Sequence, residues 1–354
     1  MRKYIFFLIF QLSILYAQTN LLIPFSKNKK IGFINDQLEI FIDPVFDSIV
    51  KYKNNSFILY DASKQCNILQ TEKETRIVHD LILLGNGYYS MYYEPDTYVY
   101  DMMGKRIRVL SNLQHDHDST YEYMIVFNGV SENIIKQDNT YIFNDSNILE
   151  IYDYEHISET ALCRYKGKGY CLITKNGLKN QDKYTFSIRS MNEGLVFGKN
   201  LRTEECGFYD MDCNLVIKAG VKKNSGMDDW NSYPGISCGV TALVNDGEKN
   251  ILLSEWQTIH SDNWSIVDCT GKILEYGITA DKIFPFSDDV AVLMVQVGKK
   301  KVYRLIGKDG KIITDRDYDF INSSVNGYCM ASKNGLDYLI NSKDGTVYNC
   351  SDFK

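Results

Sequence analysis

Beyond residue 17 the sequence has no uninterrupted apolar run approaching 18 residues, so no helical membrane span is expected there. Proline is scarce, with five residues, and histidine is equally rare. None of the nine cysteines falls in a C-x-x-C pair, which removes zinc-ribbon and thioredoxin-type chemistry. There is no G-x-S-x-G, no H-E-x-x-H and no glycine-rich phosphate loop. Like charges form no block, and a net charge of −6 lacks the basic footprint that nucleic acid requires. These absences predict a chain that is not an enzyme, uses no cofactor and binds no nucleic acid.

The N-terminus has what the rest lacks. Arg2 and Lys3 precede the apolar stretch Tyr4 to Leu15, and Ala17 stands just before the chain turns polar at Gln18. Charge, apolar core and small residue, in that order, are the marks of a secretory signal peptide. The apolar stretch is too short for a bilayer span of roughly 20 residues. The first cysteine is Cys66, so no lipid-anchor cysteine follows the core. The reading is a signal peptide over residues 1–17 and an exported domain over 18–354, in the periplasm, at the cell surface or outside the cell.

Aromatics are abundant: 26 tyrosines and 17 phenylalanines. They favour pleated, half-buried surfaces. Between the apolar segments lie nine turn phrases at a spacing of about 37 residues. Examples are Tyr100-Asp101-Met102-Met103-Gly104-Lys105, Val267-Asp268-Cys269-Thr270-Gly271-Lys272 and Ile340-Asn341-Ser342-Lys343-Asp344-Gly345. The early phrases include Tyr60-Asp61-Ala62-Ser63-Lys64 and Phe143-Asn144-Asp145-Ser146-Asn147. Asp or Asn at the first turn position caps the backbone, and Gly or Asn tolerates the left-handed conformation that returns the chain. Each phrase reads as strand, turn, strand, and the spacing as a repeat array. The expected fold is all-β, with no helix longer than a couple of turns.

The stretches between the turns carry a family resemblance. Phe284 to Ile321 reads F-S-x-x-x-A-V, then G-K, an apolar strand, G-K-D-G-K-I and D-Y-D-x-I. The same order recurs at Lys30-Ile31-Gly32-Phe33-Ile34-Asn35 with Asp43-Pro44-Val45-Phe46-Asp47-Ser48-Ile49, and at Met191 to Asp210. This resembles the bacterial WG-repeat family, whose units read G-K-W-G-F-I-D, a turn, I-x-P-x-Y-D, then F-x-x-G-x-A-x-V. The copies are degenerate. Ile31 and Cys206 stand in for the tryptophan, and Trp264 is followed by Ser265 where the glycine belongs. The resemblance implies β-propeller-like or otherwise stacked β units, with an open solenoid as the alternative. It transfers no catalytic residues.

Candidate chemistry is sparse. His115-Asp116-His117-Asp118 gathers metal-capable side chains, and His115 and His117 are weak metal candidates within a polar loop. Cys163 and Cys171 flank the turn Lys166-Gly167-Lys168-Gly169 and could face each other across two strands. The longest break in the period is an insertion at about 220–262 that holds Trp230, Tyr233 and Trp256. Loops on a repeat scaffold commonly carry binding, and Trp and Tyr are favoured anchors. The expected function is an exported, non-catalytic interaction module that binds protein. The alternatives are a glycan-binding protein using those three aromatics, and a propeller-type hydrolase with paired carboxylates.

Overall fold

The computed structural model describes residues 21–53, 55–64, 66–71, 75–78, 81–85, 88–93, 96–101, 105–115, 123–138, 140–155, 158–179, 184–186, 192–221, 236–245, 247, 249–253 and 257–353. Their strands form nine small sheets, antiparallel but for one pair in the seventh. In chain order we number these blades 1 to 9, spanning 23–46, 48–78, 81–110, 114–143, 148–179, 184–218, 220–280, 282–307 and 320–349. A typical blade is a four-stranded meander. In blade 2, for example, Ser48–Lys53, Ser56–Asp61, Cys66–Gln70 and Thr75–Val78 pair in sequence order.

Among the described residues there is no single central core. The buried apolar side chains fall into nine clusters, one between each pair of adjacent blades. One of those clusters joins blade 9 to blade 1. Ile23, Phe25 and Ile34 pack there against Leu339, Cys350 and Phe353, with the Phe25 and Phe353 rings edge to face at 5.3 Å. Blade 1 follows blade 9 as closely as any other neighbour, so the array is a closed ring. Closure settles the choice between a propeller-like fold and an open stack, and it protects the sheet edges.

The ring has an axis that one side chain locates. Asn326 of blade 9 donates from Nδ2 to the Leu22 carbonyl just before blade 1 at 2.7 Å, and to Asn55 Oδ1 of blade 2 at 3.2 Å. Blades two steps apart come within hydrogen-bond reach only near the axis. The turns between first and second strands, such as Asn326-Gly327, are therefore axial. Alternation in an antiparallel meander puts the outer turns, between third and fourth strands, on the same face as the axial turns. The middle turns lie on the opposite face with the links between blades.

The turn chemistry is as the sequence reads. Asp268 Oδ1 accepts from the Thr270 and Lys272 amides at 2.9 and 3.0 Å, and Gly271 closes the turn at φ 87°. Asp210, Asn341 and Asn35 do the same in blades 6, 9 and 1. Two phrases sit elsewhere than an outer turn. Asp61 caps the middle turn of blade 2, and Phe143 to Asn147 is the link from blade 4 to blade 5. The outer turn of blade 4 is capped instead by Asp138, which accepts from the Thr140 amide at 3.0 Å.

The WG-like glycines have a steric reason. A Cβ on Gly32 would lie 2.6 Å from the Ile42 carbonyl and 2.7 Å from the Pro44 nitrogen, because the last strand of blade 1, Ile40–Phe46, bulges across it. Where Ser265 replaces the glycine, the opposing bulge is one residue shorter: two residues are skipped between Ile278 and Glu275, against three between Phe46 and Ile42. Trp264 is 1% exposed and donates from Nε1 to the Ala280 carbonyl at 3.0 Å. It is core. The aspartates that open blades 2 and 9 also have structural work. Asp47 accepts from the Ala62 amide at 2.7 Å and from Lys30 at 2.6 Å, and Asp319 accepts from the Asn334 amide at 2.6 Å. Each carboxylate ties the entry of its blade to the middle turn of that same blade.

Candidate functional site at the axial and outer turns

The axial turns of blades 7, 8 and 9 are two-residue hairpins, closed by the pairs Ser237–Val240, Ser287–Val290 and Val325–Tyr328. Both central residues are left-handed in each: Cys238-Gly239, Asp288-Asp289 and Asn326-Gly327. Such turns match the twist of a hairpin, and Asn, Asp and Gly tolerate them best. Asp288-Asp289 carries no glycine, and its side chains explain the choice. Asp288 Oδ2 accepts from Ser324 Oγ and the Gly327 amide of blade 9, both at 2.8 Å. Asp289 meets Lys308 at 2.5 Å.

Neighbouring turns are tied in series. Ser237 Oγ donates to the Phe286 carbonyl at 2.6 Å, and Ser287 Oγ donates to the Ser324 carbonyl at 2.7 Å. With the Asn326 bridge to Leu22 and Asn55, these bonds run continuously from blade 7 to blade 2 around the axis. Outer turns dock on the blade before their own. A Cβ on Gly271, Gly310 or Gly345 would meet the fourth-strand side of the preceding blade at Val216, Glu275 or Ile313.

On this face a cleft of about 870 Å³ opens between blades 8 and 9. Its walls are the axial turns, with Asp288, Asp289 and Asn326, and the outer turns, with Asp309, Lys311, Lys343 and Asp344. Backbone at Gly307 and Gly327 lines part of it. A hydrogen bond from Lys311 holds Asp309 below the ordinary carboxylate range, and the Thr346 amide does the same for Asp344. Both acids are therefore fixed charges at neutral pH, set beside ammonium groups. That arrangement suits charge-paired recognition with exposed peptide groups, and it does not poise either acid for proton transfer.

Trp230, Tyr233, Trp256 and His117 fall outside the described residues. His115 ends the two-residue strand Gln114–His115 that opens blade 4. Around the insertion, blade 7 gains an extra strand: Asn250–Leu252 returns beside Val240–Asn245 and pairs in parallel with Gly220–Val221. Among the described residues no group of three or more His, Cys, Asp or Glu could hold a metal ion. No described helix is long and apolar enough to cross a membrane. The sequence did signal the cleft residues, but as turn formers. Only their meeting across two blades makes a site.

Comparison with known proteins supports this architecture. The WG containing repeat family model matches residues 31–60 and 303–336. The first match runs from the second strand of the three-stranded blade 1 into the second strand of blade 2, and the second from the third strand of blade 8 into the third strand of blade 9, so the sequence repeat straddles two blades. No curated protein matches the chain. Among solved structures, a eukaryotic initiation factor is 10% identical, with a TM-score of 0.52 over 95% of this chain and 98% of that one. At that identity the likeness shows the fold alone. Dipeptidyl peptidase 4 of Porphyromonas gingivalis, at 10% identity and a TM-score of 0.45, aligns over 96% of this chain and 60% of its own. The dihydro-heme d1 dehydrogenase NirN, at 12% identity and a TM-score of 0.40, aligns over 85% of this chain and 71% of its own.

Proposed function

We propose that this array of WG-type β repeats is an exported, non-catalytic module that binds a protein on the face of its axial and outer turns. The supporting observation is the open cleft between blades 8 and 9, where turns from both blades present ionised acids, lysines and backbone together. A peptide offers the complement of each: charges of both signs and amide groups. The rigid blades fix the turns, so binding costs little ordering. Export rests on the N-terminal pattern of charge, apolar core and Ala17.

The test uses the full chain purified from its native compartment and cross-linked to neighbouring proteins, with the linked residues mapped by mass spectrometry. Links should concentrate at Lys311 and Lys343. The double charge reversal Lys311→Glu with Lys343→Glu should lose the partner while keeping the circular dichroism of the wild type. Partner capture unchanged in that variant would refute this face as the interface. Binding across a glycan array that disappears in Trp230→Ala or Trp256→Ala would replace the reading with sugar recognition. Intact mass beginning at Gln18 is expected, and a mature chain retaining Met1 to Ala17 would refute export.

A further inference from the structure

Cys163 and Cys171 lie directly opposite each other in blade 5, where Thr160–Tyr165 pairs antiparallel with Gly169–Thr174. No other two cysteines are register partners among the described residues. Both side chains belong to the apolar cluster between blades 4 and 5, with Ile125, Ile134 and Ile173, and both are essentially inaccessible to solvent. Opposed residues in an antiparallel pair have Cβ atoms roughly 4.5–5.5 Å apart, next to the roughly 3.5–4.5 Å that a disulfide spans. Register and shared packing set the two thiols side by side. The hydrogen bond to Cys171, and then burial, hold the Cys163 thiol protonated.

We infer that Cys163 and Cys171 form a cross-strand disulfide when the chain folds in an oxidising compartment. The inference rests on the export reading only for the compartment; the pairing rests on the register. One cysteine thiolate attacks a sulfur of a disulfide-bearing oxidant, a thiol oxidase or oxidised glutathione, and expels a thiolate. The second cysteine then attacks the mixed disulfide, closing the Cys163–Cys171 bond and releasing the second thiol of the now reduced oxidant. Two thiols are oxidised and one disulfide is reduced. A protonated thiol sealed in an apolar core is a poor nucleophile, so the exchange belongs to the period before blades 4 and 5 pack together. Once sealed, the bond resists reductants in the folded protein.

The full chain is refolded in a mixture of oxidised and reduced glutathione, and separately recovered from its native compartment. Each sample is denatured without reductant, alkylated and digested with trypsin. Arg164, Lys166 and Lys168 stand between the two cysteines, so cleavage separates them and a surviving link identifies the bond. The expected product is one linked peptide pair containing Cys163 and Cys171 that falls apart on reduction. The double variant Cys163→Ala with Cys171→Ala should unfold at lower urea than the oxidised wild type, and wild type unfolded in reductant should lose that advantage. Both thiols alkylated after glutathione refolding overturns the inference. A linked pair after refolding, with free thiols and an uncleaved leader in the native sample, overturns export and leaves the pairing standing.

Discussion

Asn326 is the side chain on which ring closure can be tested most directly. Its Nδ2 serves the Leu22 carbonyl and Asn55 Oδ1, and Asn55 Oδ1 in turn accepts from the Leu22 amide at 2.7 Å. Leu22 is fully buried, so its carbonyl would lose a partner in a place water does not readily reach. The backbone at Asn326 is left-handed, with φ 54°, and Asn326→Gly removes the side chain without adding strain. Two hydrogen bonds at about 1 kcal/mol each, plus an unpaired buried carbonyl, predict a loss of about 2–3 kcal/mol. Glycine itself adds about 0.5–1 kcal/mol through the unfolded chain. Asn334→Gly controls for that share: it has φ 53°, lies in the middle turn of the same blade, and has no side-chain bond across the seam. Urea unfolding followed by tyrosine fluorescence should place Asn326→Gly about 2 kcal/mol below Asn334→Gly. Equal stabilities, within about 0.5 kcal/mol, would mean that the Asn326 hydrogen bonds contribute nothing and that the ring is closed by packing alone.

Two further outcomes follow from the turns. Gly345→Ala places a Cβ against the Ile313 carbonyl at a φ of 75°, whereas Gly177→Ala meets nothing at a φ of 102°, so thermal unfolding should show the former weaker by about 1–3 kcal/mol. The capping acids set the acid limit of the fold. The Ser63 hydroxyl and Lys64 hold Asp61 down to about 2, the Thr270 hydroxyl lowers Asp268, and Lys30 lowers Asp47. Folded values below the unfolded value of about 3.9 mean that this stability is complete above that pH and is lost as pH falls through the folded values. The urea midpoint should be level from about pH 5 to 7 and drop between about pH 4 and 2; a midpoint level throughout would refute that role for the acids.

The parts of the fold that were legible are those written locally. An Asx cap needs only the next four residues, so Asp210, Asp268 and Asn341 announce their turns in sequence. The same locality misassigned one phrase, because Asp145 caps in the same way in the link between blades 4 and 5, where no hairpin forms. Asp138 lies outside the nine phrases, yet its bond to Thr140 is equivalent. Closure had no local signature. Leu22 and Asn326 are 304 residues apart, and nothing near either marks the other. The cleft was hidden for the same reason: its acids look like turn formers until blades 8 and 9 stand side by side.

The placement of nine apolar clusters in nine seams has a consequence for how the molecule comes apart. In an open array the terminal units have one neighbour and fray first, and stability is a sum of nearest-neighbour terms. In this ring every blade has two neighbours, so releasing any one of them exposes two clusters at once, such as Cys329 and Ile340 on one side of blade 9 and Leu339 and Phe353 on the other. The first opening is therefore the costliest, and each later one exposes only one more seam. Such a ring should lose its blades together. Amide exchange should show no gradient of protection running from the first blade to the last, and blades 1 and 9 should exchange as slowly as blades 4 and 5.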